Sequence, residues 1–308
     1  MNRIAIVGAT GLVGRTIIQV LQEEGIPGKY EYYNSRNLTR TAVRRFRPNY
    51  ALFAVEADIA RKWVPFFANL GCTVIDNSSA YRTDPTVPLV IPECNPDTLV
   101  TAAASILQKK NAKPFLVQNT SSSGGSNGLV VANPNCSTIG ALVALKPLDD
   151  AFGIRRIVYS TYQAISGAGV NPIFAHPIEN NLIPYIAGEE EKMIFETKKI
   201  LGRPDIAVTA TCVRVPLANC HSISINAEFN NSVDIEKVKE LLRTAPGVIF
   251  MDDGLPMPLL ADGKNDVYAG RVRMDESQPN TINLFTVSDN VRKGAAVNAV
   301  QILRCLIQ

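Results

Sequence analysis

The sequence contains no stretch of about 18 consecutive apolar residues, and this absence excludes a transmembrane helix of ordinary length. Its first residues, Met1-Asn-Arg, lead directly into the short apolar run Ile4–Val7, so the apolar segment and cleavage site of a secretory signal are missing as well. We therefore expect a soluble, cytoplasmic protein with no membrane partner.

Cysteines at metal-ligand spacing are also absent. The six cysteines form no CxxC pair and no zinc-type spacing, so we expect reduced thiols and no bound metal. The net charge is only +3, with acids and bases mixed along the chain, which gives no reason to expect a nucleic-acid partner. The one local excess of charge, which we interpret as a solvated face, consists of Arg40, Arg44, Arg45 and Arg47.

The length and the apolar content predict two domains. The chain has 308 residues, 46% of them apolar, and a single core seldom serves more than roughly 250–300 residues. The first part alternates strand and helix patterns: "RIAIVGATGLVGRTIIQVLQEEG", strands near Tyr30–Tyr33 and Tyr50–Val55, a helix from about Asp58 to Leu70, and the strand "CTVIDNSS". This order is typical of a Rossmann-like parallel sheet covered by helices.

After Cys136 the pattern changes to β-branched strands interrupted by a few helices, which favours a mixed α+β domain. The tail "RKGAAVNAVQILRCLIQ" is helical, and its apolar face (Ala296, Val297, Val300, Leu303, Leu306) needs a partner, for which the first domain is one solution. We expect residues 1–135 and 291–308 to form a dinucleotide-binding domain and residues 136–290 a catalytic and dimerisation domain. The polar, glycine-rich stretch at residues 119–128 reads as a flexible loop.

Three glycines, Gly8, Gly11 and Gly14, stand between the first strand and the first helix. Glycines at this position permit a tight turn and close approach of the backbone to a pyrophosphate at the helix N-terminus. The spacing G-x-x-G-x-x-G indicates dinucleotide binding, with a purely structural glycine turn as the alternative. The second strand ends in Ser35 and Arg36 rather than in an acidic residue. Arg36 is either the partner of an NADP 2′-phosphate or an ordinary exposed arginine.

Cys136 comes immediately before a helical pattern in "VANPNCSTIGALVAL". At a helix N-terminus the dipole and the free amides favour a thiolate, so this cysteine is a candidate nucleophile. The alternative is a small buried hydrophobe, since free cysteine is often simply buried. A thiolate that forms a thioester needs a proton shuttle, and the chain has only two histidines, His176 and His221.

Taken together, several motifs resemble the aspartate-β-semialdehyde dehydrogenase family over nearly the whole chain. They are GATGLVG, "DNSSAYR", "NPNCST", "EEEK" followed by "ETKKIL", "RVPLANCHS", "GRVR" and "SDNVRKGAAVNAVQIL". The resemblance implies NADPH-dependent reductive dephosphorylation of β-aspartyl phosphate to aspartate β-semialdehyde, a step toward lysine, methionine and threonine. It also implies a small-molecule substrate and a homodimer or a dimer-based tetramer.

By motif, the resemblance also assigns roles to individual residues. Cys136 would be the nucleophile, His221 the acid/base and Gln163 the residue that orients the acyl group. Arg214 would bind the substrate carboxylate and Glu189 the substrate amine, while Arg82 and Lys192 would hold the phosphate. For NADP(H), the resemblance implies a pyrophosphate turn with Gly8, Thr10, Gly11, Leu12, Val13 and Gly14, an adenosine-phosphate site at Ser35, Arg36 and Asn37, and a nicotinamide site with Ser166, Gly167 and Asn290.

Other interpretations and departures accompany this assignment. Arg82, Lys192 and Glu189 are alternatively ordinary surface charges, and His176 reads as structural or surface. Cys220 stands where the family usually has glycine, and the segment Ala102–Leu129 looks expanded. We interpret Cys72, Cys94, Cys212 and Cys305 as core thiols. The alternative functions are an N-acetyl-γ-glutamyl-phosphate reductase, which more often reads Asn-Pro-Gly-Cys, and a catalytically silent dinucleotide-binding protein.

Overall fold

The computed structural model describes residues 1–108, 128–169 and 177–307. Most of the glycine-rich stretch at 119–128, most of the segment 102–129 and His176 therefore lie outside the described residues. The chain divides into two compact units, Met1–Pro134 with Ala296–Gln308 (unit 1) and Asn135–Ala295 (unit 2). None of the helices in the described ranges combines the length and the apolar character that a membrane span requires.

Unit 1 contains a five-stranded sheet in the order β2-β1-β3-β4-β5, with every pair parallel, as the alternating pattern predicts. Central strands of such a sheet are covered on both faces, which explains the continuous apolar run of the first strand. Its elements in chain order are β1 (Arg3–Val7), α1 (Leu12–Glu23), β2 (Lys29–Tyr33), α2 (Arg40–Phe46), β3 (Tyr50–Phe53), α3 (Ala57–Ala68), β4 (Thr73–Asp76), α4 (Asp97–Gln108) and β5 (Val130–Ala132).

Unit 2 contains a mixed six-stranded sheet in the order β7-β6-β8-β11-β10-β9. A long helix, α5, packs against this sheet, and apolar residues all around α5 are buried, which is typical of a helix enclosed on every side. The elements are α5 (Cys136–Phe152), β6 (Ile154–Gln163), α6 (Glu189–Leu201), β7 (Ala207–Arg214), β8 (His221–Phe229), α7 (Ile235–Thr244), β9 (Val248–Met251), α8 (Pro258–Ala261), β10 (Val267–Met274) and β11 (Thr281–Ser288).

The predicted C-terminal helix is present as α9 (Asn298–Ile307), preceded by a π-helical turn at Arg292–Val297. Its apolar face joins the core of unit 1: Val300 and Leu303 are fully buried in the cluster that holds Ile6 of β1 and Ile17 of α1. The prediction that the tail packs on the first domain is therefore confirmed. At the end of the chain, however, Cys305 is exposed, so its interpretation as a core thiol was wrong. It lies on the outward side of α9, which the helical spacing of the buried residues leaves free of the core.

Candidate active site

One edge of the mixed sheet carries three of the predicted site residues. Strands β6 and β7 run parallel with Gln163 opposite Arg214, so both strands end at this edge. Strand β8 runs antiparallel to β6 and pairs Ser222 with Tyr162, which brings His221, at the beginning of β8, to the same edge. The sheet topology thus assembles Gln163, Arg214 and His221 from three strands.

The end of β11 brings Asn290 to this edge as well. Ser288 pairs with His221, and Asn290 follows two residues later. The Asn290 side chain accepts the backbone N–H of Cys220 at 3.0 Å and donates to Ser166 Oγ at 3.0 Å. Ser166 and Asn290, both expected on the nicotinamide side, therefore form one hydrogen-bonded group beside the histidine.

Cys136 is the first residue of α5, as the sequence predicts. The preceding Asn135 is the N-cap: its backbone is extended (φ −63°, ψ 144°), and its side-chain oxygen accepts the Ser137 N–H at 2.9 Å. Cys136 is half-buried, unlike the fully buried thiols of the core. Gly294 packs directly on it, since a Cβ built there would lie 2.6 Å from the Cys136 Cβ. The nucleophile candidate is thus partly accessible and packs against the backbone at Gly294.

The His221 imidazole is buried, and its protonation is defined by one hydrogen bond. Its Nδ1 accepts the backbone N–H of Ala164 at 3.1 Å, so the ring proton of the neutral form is on Nε2. Burial first, and then the positive charge of Arg214, lowers the pKa of His221 from 6.5 to about 3. Among the described residues Nε2 has no hydrogen-bond partner, although it is buried. A neutral N–H donor is therefore available to a reacting group.

Gly167 allows this arrangement by having no side chain. A Cβ at this position would lie 2.8 Å from His221 Nε2 and 2.9 Å from Arg214 Nη1. The Arg214 guanidinium is itself buried and donates from Nη1 to the carbonyl oxygen of Ala164 at 2.6 Å. Burial lowers the pKa of Arg214, and the neighbouring Cys136 and Glu189 act in the opposite direction, which places all three within electrostatic reach of one another.

Helix α6 contributes the predicted amine- and phosphate-binding residues, which contact each other. Lys192 Nζ donates to Glu189 Oε1 at 2.6 Å, one helical turn apart. The other oxygen of Glu189 accepts the side-chain amide of Asn135 at 2.8 Å. Glu189 is buried, so its interpretation as an ordinary surface charge was wrong, because these two bonds keep the carboxylate on the inner side of α6.

In unit 1, the predicted nucleotide-binding residues follow the carboxyl ends of the strands, where open parallel sheets bind ligands. Gly8 has φ +89°, and a Cβ built on Gly14 would lie 2.1 Å from the Gly8 carbonyl oxygen, so the turn from β1 to α1 requires glycine at both positions. Thr10, Leu12 and Val13 complete this turn and the start of α1. The first turn of α1, after its N-cap Gly11, carries no acidic residue that would repel an anion.

The turn after β2 exposes Ser35 and Arg36. Asn37 is committed to the turn itself: its side chain accepts the Asn34 N–H at 2.7 Å and donates to the Tyr32 carbonyl at 2.9 Å. Asn37 thus shapes the turn, and Ser35 and Arg36 are exposed beside it.

Arg82 follows β4 at the same edge of the unit 1 sheet. It is buried and donates to the Asn77 carbonyl oxygen at 2.8 Å, so the interpretation of Arg82 as a surface charge was wrong. A buried cation has lost much of its water, which strengthens its charge-assisted hydrogen bonds.

The structure also explains why Cys220 is unusual. Its φ is +70°, the left-handed conformation that glycine adopts at low cost, and its side chain is fully buried. Burial raises the pKa of this thiol to about 12. It is therefore neither exposed nor readily ionised, and oxidation of this thiol is disfavoured.

Sequence reasoning missed two side chains of the site, Asn135 and Glu196. The buried Glu196 accepts the Asn135 backbone N–H at 2.6 Å. An asparagine before a helical run is a typical N-cap signal, so Asn135 was detectable. Glu196 lies in a charged helix and gives no local signal of burial.

Comparison with known proteins defines the class of this enzyme first. Residues 30–102 match the domain described as "Semialdehyde dehydrogenase, NAD binding domain", and residues 145–293 match "Semialdehyde dehydrogenase, dimerisation domain". These two matched ranges place the chain in the semialdehyde dehydrogenase class.

Full-length relatives narrow the class. The chain is 38% identical to the aspartate-semialdehyde dehydrogenase of Aquifex aeolicus over 356 residues, covering 99% of this chain and 98% of the relative. It is similar to the crystal structure of aspartate semialdehyde dehydrogenase II complexed with ASA from Vibrio cholerae (TM-score 0.86, 35% identity, 100% and 98% covered). It is also similar to the enzyme of Candida albicans with NADP (TM-score 0.81, 26% identity, 100% and 98% covered). The chain belongs to the aspartate-semialdehyde dehydrogenase family.

Proposed function

We propose that this protein catalyses the NADPH-dependent reductive dephosphorylation of L-β-aspartyl phosphate to L-aspartate β-semialdehyde, and the reverse reaction, on the route to lysine, methionine and threonine. The observation that carries the proposal is the half-buried Cys136 at the start of α5, in the same unit as His221, Gln163 and Arg214 at one sheet edge. The relative solved with ASA supports the substrate.

The charges of the site match those of aspartyl phosphate. Arg214 offers a planar guanidinium for the α-carboxylate. Glu189 and Lys192 are bonded to each other at 2.6 Å, and the substrate carries an ammonium and a phosphate that exchange with this pair, the ammonium to Glu189 and the phosphate to Lys192. By its motif, Arg82 of unit 1 would be a second cation for the phosphate. Both groups of the substrate are needed to replace the Glu189–Lys192 ion pair. We therefore expect a substrate analogue that lacks the amine to bind with a less favourable free energy.

In the covalent step the Cys136 thiolate attacks the acyl carbon, a C–S bond forms, and the C–O bond to phosphate breaks with its electron pair leaving on phosphate. Bound NADPH supplies the hydride that reduces the resulting thioester carbonyl. The oxyanion then reforms C=O as the C–S bond breaks, and the thiolate is restored. His221 donates from Nε2–H, and the amides at the start of α5 add to the stabilisation of this oxyanion. Gln163, buried at the end of β6, orients the acyl group.

The residues of unit 1 fit NADP(H). A positive helix terminus without acidic residues faces the end of the β1 turn, which suits a pyrophosphate, and Arg36 is an exposed cation at the end of β2, which suits a 2′-phosphate. Ser166, Gly167 and Asn290 would hold the nicotinamide side. We also propose residues 1–135 with 291–308 as the dinucleotide-binding domain and residues 136–290 as the catalytic and dimerisation domain of a cytoplasmic homodimer. The match to a dimerisation domain supports the dimer.

The test is the phosphate-dependent reduction of NADP by aspartate semialdehyde with purified protein. Cys136→Ser should lose turnover by several orders of magnitude while NADPH still binds, because the serine hydroxyl is a far weaker nucleophile at neutral pH. Cys305→Ser is the matched control, since this thiol is exposed and outside the site. Wild-type turnover in Cys136→Ser would refute the assignment of the nucleophile, and no turnover in the wild-type protein would refute the reaction.

A further inference from the structure

Two separate carboxylates of helix α6 bind Asn135, the residue that precedes the nucleophile. Glu196 Oε2 accepts the backbone N–H of Asn135 at 2.6 Å, and Glu189 Oε2 accepts the Asn135 side-chain amide at 2.8 Å. Asn135 in turn caps α5 through Ser137. Both carboxylates are buried, and Glu196 is only 1% exposed.

We propose that Glu196 is a positioning residue for Cys136, a role that rests on the proposed function of that thiol. As the N-cap of α5, Asn135 has an N–H that bonds outside the helix, to the Glu196 carboxylate. A rotation about the Asn135 backbone would swing Cys136, the next residue, out of line with the acyl carbon. The charge-assisted bond from Glu196 opposes that rotation.

The two carboxylates differ in what happens to them when substrate binds. Glu189 is bonded to Lys192, and the proposed substrate ammonium competes for the same carboxylate. Its bond to Asn135 is therefore exposed to exchange during the catalytic cycle. Glu196 accepts a hydrogen bond from the Asn135 backbone rather than from its side chain. This bond therefore remains while Glu189 changes partners.

The same geometry links the phosphate site to the nucleophile. Lys192 and Glu196 lie one turn apart on α6, and a helix transmits position with little distortion. Because Glu196 ties α6 to the backbone of Asn135, its hydrogen bond helps to fix the separation between the phosphate-binding ammonium of Lys192 and Cys136, and it does so even while Glu189 exchanges partners. Near-attack geometry is sensitive to shifts of about 1 Å, for which losses of about 100-fold are typical.

The experiment compares Glu196→Met, which keeps the length but removes the acceptor, with Glu196→Gln, whose amide oxygen still accepts an N–H. Glu191→Gln is the matched control, since Glu191 is exposed on the same helix. We expect Glu196→Met to lower kcat about tenfold or more with the KM values for aspartate semialdehyde, phosphate and NADP within about twofold. Glu196→Gln should stay within about threefold of wild type, because a neutral acceptor retains part of the bond.

A second readout needs no substrate: the rate at which iodoacetamide alkylates Cys136, followed by peptide mass analysis. We expect this rate to change at least threefold in Glu196→Met and to be unchanged in Glu191→Gln. Unchanged kcat and alkylation in Glu196→Met would overturn the proposal, as would a loss of more than tenfold in kcat for Glu196→Gln. The latter comparison decides the matter if Glu196→Met does not fold. A wild-type protein that is alkylated but inactive on aspartate semialdehyde would refute the proposed function and leave the positioning test intact.

Discussion

Replacing His221 with glutamine should remove a pH-dependent loss of stability. The pKa of this buried imidazole is lowered from 6.5 to about 3, so between these values the unfolded chain binds a proton that the folded chain does not. Stability therefore rises with pH through this window: the full contribution is present above pH 6.5 and is lost progressively as the pH falls toward 3. Glutamine does not titrate, and its side-chain oxygen can still accept the Ala164 N–H.

The expected magnitude follows from the two pKa values. A pH of 5 is about 1.5 units below the pKa of the imidazole in the unfolded chain, and each unit corresponds to ~1.36 kcal/mol. From this group alone, the free energy of unfolding of the wild-type protein is therefore ~2 kcal/mol lower at pH 5 than at pH 7.5. His221→Gln lacks this loss. Other titrating groups, such as the buried Asp76, are common to both proteins and cancel in the difference.

Urea unfolding of both proteins at pH 7.5 and pH 5.0, followed by far-UV circular dichroism, measures this difference in the free energy of unfolding. The gap between wild type and His221→Gln should shift by ~2 kcal/mol in favour of the variant at the lower pH. A shift below about 0.5 kcal/mol would mean that the imidazole is hydrated or paired in the folded protein, and the argument for a neutral Nε2–H donor would fail.

Three further substitutions test other parts of the structure. Gly14→Ala places a methyl group 2.1 Å from the Gly8 carbonyl oxygen. We therefore expect the free energy of unfolding in urea to fall by about 1–3 kcal/mol and the affinity for NADPH, measured by titration, to weaken. Unchanged values of both would contradict the turn geometry. Gly294→Ala places a methyl group 2.6 Å from Cys136 Cβ, so kcat should fall at least about tenfold because the thiol is displaced. Normal turnover would show that the backbone at residue 294 can move. Arg36→Ala should raise the KM for NADP about tenfold and leave that for NAD unchanged, and equal effects on both cofactors would remove Arg36 from the 2′-phosphate site.

The local sequence pattern was sufficient to predict the position of a residue wherever that position depends only on the helix or strand that contains it. The start of α5 near Cys136 follows from the apolar residues at helical spacing after it. The parallel sheet of unit 1 follows from the alternation of strands and helices, and the burial of α9 follows from its apolar face. Exposure along a helix was less predictable, as Cys305 shows, because apolar neighbours in sequence need not share a face.

Contacts between distant elements could not be predicted from the local sequence. Nothing in "ETKKIL" indicates that Glu196 reaches the backbone of Asn135, and nothing in "EEEK" indicates that Glu189 is buried, because charged residues at helical spacing are equally typical of a solvated face. Similarly, the backbone amide of Ala164 has no sequence signature, yet it decides which nitrogen of His221 carries the proton.

By itself, the sequence determined the class of the protein and the chemistry of its residues: a glycine turn before a helix, a thiol at a helix start, and one histidine, one glutamine and one arginine suited to acyl transfer. Only the tertiary structure decided how these groups are poised. Strand register brought Gln163, Arg214 and His221 to one edge, and burial set the charge of the imidazole. The physical reason is that side-chain chemistry is a property of each residue, whereas desolvation and hydrogen-bond partners depend on which distant segments the fold brings into contact.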